Sequence, residues 1–167
     1  MKEDFSANVP EVDREKCGDR YNNPRLQRAL READEIWVTG SWRLWQAELL
    51  PQSIENLKTN YGKPVLVFGR KDFGNQVKRE WVGRTRAERL GMTSVMRSAH
   101  IKTNNLMRTT LPADAFIDVS ALMCGAGSAC PVFTPSDRLI SYDGVHLTAD
   151  GARHLGELLS QHPLVRR

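Results

Sequence analysis

Long apolar runs are missing from these 167 residues. No stretch approaches the roughly 18 consecutive apolar side chains that span a bilayer. The opening residues, Met1-Lys2-Glu3-Asp4-Phe5, carry charge where a secretory leader would be apolar, so no signal peptide is read there. Aromatic residues make up only 7%, and the 12 glycines and 8 prolines follow no repeat, which excludes collagen-like and low-complexity chains. Neither sign of charge dominates: 24 Lys and Arg stand against 20 Asp and Glu, a net charge of +4. With 40% hydrophobic residues the chain is too apolar and too mixed in charge for a disordered one. Its length suits one domain with a real core rather than two.

Cysteine is also scarce, with three in all. Cys124 and Cys130 enclose the small, flexible Gly125-Ala126-Gly127-Ser128-Ala129, a spacing that permits a local disulfide. Such a bridge would imply an oxidising compartment. Zinc is disfavoured because no second Cys/His pair with metal spacing follows. Cys17 is left over, a free thiol or half of a bridge to a partner outside this chain. His100, His154 and His162 share no ligand spacing with acids or cysteines, so neither a metal nor a cofactor is expected. Gly83-Arg84-Thr85-Arg86 lacks the Lys-Ser/Thr of a phosphate-binding loop.

The positive charge is unevenly spread. Residues 70–108 hold ten Lys and Arg against three acids, leaving the rest of the chain at −3. Such a stretch can attract anionic polymers. No nucleic-acid-binding signature accompanies it, so a solvated helix–loop face is expected and nucleic acid is not an expected partner.

Residues 1–23 are polar and turn-rich and read as a loosely ordered lead-in. Asn23 caps a helix that opens at Pro24, with Leu26, Ala29, Leu30 and Ala33 at helical spacing. Ile36-Trp37-Val38-Thr39 is a short buried strand broken by Gly40. A second helix runs from about Leu44 to Tyr61, with Pro51 dividing it or starting its second part. Val65-Leu66-Val67-Phe68 is a continuous apolar run between turn signals. Residues 75–108 read as polar helix interrupted near Gly91, and Ala115–Val119 as a third strand. Leu139–Tyr142 is a brief extended piece, and a last helix spans about Ala149 to Ser160. Unalternating apolar runs between helices predict a parallel sheet covered on both faces. Ligands of such sheets sit beyond the carboxyl ends of the strands, here near Gly40-Ser41-Trp42, Gly69-Arg70 and Ser120-Ala121.

One segment carries chemistry: Ser141-Tyr142-Asp143-Gly144-Val145-His146-Leu147-Thr148, ahead of Ala149-Asp150-Gly151-Ala152. An Asp three residues before a His, in a loop opening the final helix, can fold back on the imidazole. The carboxylate then takes the Nδ1 proton and leaves Nε2 as a base. The competing reading is a histidine that caps the helix and an aspartate that holds a turn with Gly144.

This block resembles the last motif of the SGNH hydrolases, and most of all the SGNH domains fused to bacterial membrane O-acyltransferases that modify surface polysaccharides. Ile36–Trp42, Tyr61–Gly69 and Phe116–Val119 with Cys124 and Cys130 are similar to further stretches of those domains, so that the likeness covers residues 24–160. It implies a three-layer, parallel-sheet α/β fold of flavodoxin-like type over residues 24–162, with 163–167 as a tail. It also implies a Ser-His-Asp esterase or O-acyltransferase site acting on O-acyl groups of carbohydrate, with His146 as general base and Asp143 as its orienter. The expected partners are a carbohydrate or acyl-ester substrate and a membrane acyltransferase domain, and the resemblance points outside the cytoplasmic membrane.

Two departures stand out. Gly40-Ser41-Trp42-Arg43 falls where the family carries a Gly-x-Asn-Asp block, so that Gly40 matches while Trp42 and Arg43 replace the polar pair. Arg43 could then donate to a developing oxyanion, and Trp42 with Trp45 could line a sugar cleft. The family's Gly-Asp-Ser nucleophile block is absent, and Cys17-Gly18-Asp19-Arg20 has arginine in the serine position. The chain is therefore expected to start after the first two strands, to need an N-terminal segment or to use another serine, and to self-associate through an open sheet edge. Ser41 is the one serine obviously placed at a strand's carboxyl end. Its other role would be to cap the helix that follows. The alternative function is a non-catalytic remnant that binds glycan or a protein partner.

Overall fold

Asn23 begins the first element as its side chain dictates. The computed structural model describes residues 23–75 and 78–166. In it the Asn23 carboxamide oxygen accepts from the backbone N–H groups of Arg25 at 2.9 Å and Leu26 at 3.4 Å, and Pro24 occupies the first turn of α1 (Pro24–Glu32). Cys17 and the lead-in up to residue 22 lie outside the described residues.

The main sheet has three parallel strands in the order β1 (Ile36–Val38), β2 (Val65–Phe68) and β4 (Phe116–Ile117). Ile36 pairs with Val65, and Val67 with Phe116. All four residues of β2 are buried because the strand is central and covered on both faces. Period-two alternation sends Val65 and Val67 into one cluster and Leu66 and Phe68 into the other. The first cluster packs the sheet against α2 (Leu44–Tyr61) through Ala47, Leu50 and Ile54, and against α4 (Ser98–Thr110) through Met107. The second packs it against α5 (Val119–Cys124) through Val119 and Met123, and against α6 (Ala149–Ser160) through Leu155, Leu158 and Leu159. Helix–sheet–helix layering follows, the three-layer α/β architecture expected from the sequence.

Helix α2 runs unbroken through Pro51, where the sequence suggested a division. An interior proline costs about 3 kcal/mol. Burial of Ala47, Leu50 and Ile54 on either side of it outweighs that cost.

Residues 75–108 correct the sequence reading most. Instead of an interrupted helix, a 3-10 turn (Lys78–Glu80) leads to the five-residue α3 (Arg86–Leu90), then β3 (Thr93–Val95), then α4. Strand β3 pairs antiparallel with β5 (Ala129–Pro131) in a separate two-stranded sheet. Thr93-Ser94-Val95 is too short and too polar to announce a strand, and its partner lies 34 residues on. The third main strand is likewise only Phe116–Ile117, because Asp118 caps α5 by accepting from Ala121 N at 3.0 Å. Leu139–Tyr142 forms no strand but two isolated bridges, Phe133 with Leu139 and Ser141 with Leu147. Cys124 and Cys130 are bonded as a disulfide, with Cα atoms 4.5 Å apart, and join the end of α5 to β5.

Four of the ten basic residues in the stretch 70–108 meet acids. Arg84 meets Glu88, Arg89 meets Asp137, Arg97 meets Asp72 and Arg108 meets Asp118. Two of those four carboxylates, Asp118 and Asp137, lie beyond the stretch, so the surplus counted along the sequence is smaller in space.

Helix α6 approaches the loop before it closely. A Cβ on Gly151 would lie 2.1 Å from the carbonyl oxygen of Ile140. Backbone cannot yield that distance cheaply. Gly151→Ala is therefore expected to destabilise the protein by about 2–3 kcal/mol, read as a lowered midpoint in urea unfolding with an unchanged slope. A neutral substitution would show that α6 is free to shift.

Candidate functional site

Asp143 and His146 leave the last bridge before α6 on a tight turn. Ser141, fully buried, organises it: its hydroxyl donates to the His146 carbonyl at 2.7 Å and accepts from Gly144 N at 2.9 Å. Gly144 has φ 83°, a left-handed conformation, and its Cβ position lies 1.8 Å from the Gly74 carbonyl oxygen. Only glycine fits there. Asp143 Oδ1 accepts from Val145 N at 2.8 Å and His146 N at 2.7 Å, and its Oδ2 lies 2.6 Å from His146 Nδ1. The hydrogen bond with the imidazole, then those from the two backbone N–H groups, hold the Asp143 carboxyl far below the usual carboxylate range. The His146 side chain is 66% exposed and stacks on Tyr142 with ring centroids 5.9 Å apart. Nδ1 is engaged, which leaves Nε2 as the nitrogen open to a substrate.

This loop rests on the segment that follows β2. Phe73 N donates to the Gly144 carbonyl at 2.8 Å. One residue earlier, the fully buried Asp72 binds Arg97 through the backbone N at 2.8 Å, Nη2 at 2.8 Å and Nε at 3.1 Å, and it accepts from Gly74 N at 3.0 Å. Burial pushes the Asp72 carboxyl up, but the hydrogen bonds from Arg97 and Gly74 prevail and its pKa is lowered. His100 is buried with Nδ1 against Asp72 Oδ2, in a contact not aligned as a conventional hydrogen bond. Burial lowers the His100 pKa, and the nearby Asp72 charge only partly opposes that.

The residues expected near an oxyanion, Gly40, Ser41, Trp42 and Arg43, form the loop between β1 and α2. Trp42 Nε1 donates to the Phe68 carbonyl at 2.8 Å, so the indole lies across the end of β2. Arg43 does begin α2, and its backbone N–H is met by the Gln46 side chain at 2.8 Å. The hydrogen bond at the start of α2 therefore comes from Gln46, not from Ser41. Ser41 and Arg43 are exposed. No hydrogen bond joins Ser41 to His146 among the described residues.

Sequence reasoning missed Asp72, Arg97, His100 and the structural role of Ser141. A signal existed for Asp72: an acid inside Arg70-Lys71-Asp72-Phe73-Gly74, just beyond a buried parallel strand, is where such folds place functional groups. His100 and Arg97 gave none, because the helix carrying them was read with the wrong start.

A parallel sheet between helices, with an acid–imidazole pair on a loop braced against a strand's carboxyl end, defines a three-layer α/β protein of hydrolase-like layout. A family model described as SGNH domain (fused to AT3 domains) matches residues 4–161, and the chain belongs to that family. No curated protein and no solved structure matches it.

The buried cluster makes stability depend on pH. Asp72 stabilises the fold above the unfolded carboxyl value of about 3.9, an effect lost as pH falls through its lower folded value. His100 acts earlier: the unfolded chain takes a proton near about 6.5 that the folded chain resists, so stability falls as pH drops below that value. Urea unfolding at pH 7.5 and 5.5 is expected to show a weaker fold at the lower pH, with much of the difference removed by His100→Gln. Asp72→Asn is expected to cost about 2–3 kcal/mol at pH 7.5.

Proposed function

We propose that this chain is an acyl-ester hydrolase or O-acyltransferase domain acting on O-acyl groups of carbohydrate, with His146 as general base and Asp143 as its orienter. The observation that carries the reading is the 2.6 Å contact between Asp143 Oδ2 and His146 Nδ1 on an imidazole that remains exposed. A hydroxyl nucleophile attacks the acyl carbonyl carbon while His146 Nε2 takes its proton. Asp143, anionic over the working range, stabilises the imidazolium. As the tetrahedral centre collapses, the same proton passes to the departing sugar oxygen, and the acyl group goes on to water or to an acceptor hydroxyl.

Ser41 is the proposed nucleophile within this chain, with Gly40 and Arg43 as candidate donors to the oxyanion. Its exposure and its place at the end of β1 support that role. The family description names fusion to AT3 domains, which supports a membrane acyltransferase as the partner domain. The disulfide favours an oxidising compartment.

A second reading, a non-catalytic domain that binds glycan or a protein partner, is favoured by one fact: no Gly-Asp-Ser occurs anywhere in the sequence. Hydrolysis of 4-nitrophenyl acetate by the purified chain separates the two. The enzymatic reading expects His146→Ala to lower the rate by a factor of about 100 or more, with a matching loss in Ser41→Ala. If wild type and His146→Ala are equally inert, the enzymatic reading fails for this chain. Calorimetric binding of an acetylated oligosaccharide without turnover would then support the second.

A further inference from the structure

The residue that follows β2 by two positions is held unusually firmly. Arg70 N donates to Asn104 Oδ1 at 2.8 Å, and its carbonyl accepts from Asn104 Nδ2 at 2.6 Å and from Ser120 Oγ at 2.8 Å. Asn104 and Ser120 are themselves buried. The guanidinium is fixed as well, with Nη1 donating to the Trp42 carbonyl at 2.6 Å. Thus backbone and side chain are both immobilised, at the end of the sheet where open α/β folds take their ligands.

Among the described residues Arg70 has no ion-pair partner, whereas Arg84, Arg89, Arg97 and Arg108 in the same basic stretch each meet a carboxylate. Arg70 is half-buried, and burial lowers its pKa, with the Arg97 charge acting in the same direction. Arg43 adds a third positive charge within electrostatic reach, and its side chain makes no hydrogen bond or ion pair among the described residues. Two acids act on these arginines, Asp72 on both Arg70 and Arg97 and Asp143 on Arg97. Asp72 is consumed by Arg97 and Gly74, and Asp143 by His146 and its own turn. A partly desolvated, preorganised guanidinium without an anion is costly to keep unless a ligand supplies one.

We infer that Arg70, assisted by Arg43, is an anion subsite that takes a carboxylate carried on a saccharide, beside Trp42. The planar fork of a guanidinium matches a carboxylate in two-point contact, and the free donors of Arg70 beyond the one spent on Trp42 suffice for it. This deepens the carbohydrate reading above, because it names the substrate as an acidic glycan, but it does not depend on turnover.

The test is calorimetric titration of the purified chain with tri-galacturonic acid, with galactotriose as the neutral control and inorganic sulfate as the plain-anion control. The acidic trimer is expected to bind at least about tenfold more tightly than the neutral one, by the contribution of one charge-assisted contact. Sulfate should compete only weakly. Arg43→Gln, whose side chain holds nothing in place, should reduce affinity several-fold with an unchanged melting temperature. Arg70→Lys keeps the charge but loses the fork and should reduce it further. Equal affinity for the acidic and neutral trimers overturns the inference, as does an absence of binding by the folded wild type. Sulfate competing as well as the trimer would show an unselective anion site and overturn the saccharide assignment. Loss of esterase activity in His146→Ala with intact uronate binding separates this subsite from the catalytic reading.

Discussion

A single buried carboxylate ties the working end of the molecule together. Asp72 leaves β2 and captures Arg97 at the start of α4, the Gly74 turn beside it and the ring of His100. The next residue, Phe73, binds the loop that carries Asp143 and His146. An ionised group with no exposure is tolerable only when each lone pair is met. Satisfying Asp72 therefore fixes, in one step, where α4 begins and where the acid–imidazole loop is supported. The exposed pair sits on a buried one, and the precision of the first depends on the second.

That arrangement divides the labour among the charges at the strand ends. Arg97 is spent on structure, as the bond to Asp72 shows, and that bond raises its own pKa further. Arg70 is pinned through Asn104, Ser120 and Trp42 and makes no ion pair among the described residues. Two arginines 27 residues apart in the sequence thus serve different purposes. Membership of the SGNH family accounts for the layered frame that carries these charges.

Much of this was legible beforehand because some signals are local. Asn23-Pro24 marks a helix start by its own hydrogen bonds, and Val65–Phe68 marks a two-sided strand by apolar continuity. The Asp143–His146 contact was readable from a spacing of three, and the Cys124–Cys130 bridge from a small-residue loop. What could not be read depends on distant chain. Strand β3 exists because β5 lies beside it, and nothing in Thr93-Ser94-Val95 says so. Pro51 persists in a helix because its neighbours are buried against the sheet, a tertiary fact that overrides local preference. Asp72, Arg97 and His100 lie up to 28 residues apart and meet only once α4 is placed.

Strand β2 has one more consequence. Its alternate side chains belong to different hydrophobic clusters, so it is the common wall of both halves of the interior. Neither half can loosen by itself, since drawing β2 out of register would strip Leu66 and Phe68 from one side and Val65 and Val67 from the other at once. The layers are thereby bound into one cooperative unit that melts as a whole rather than by delamination.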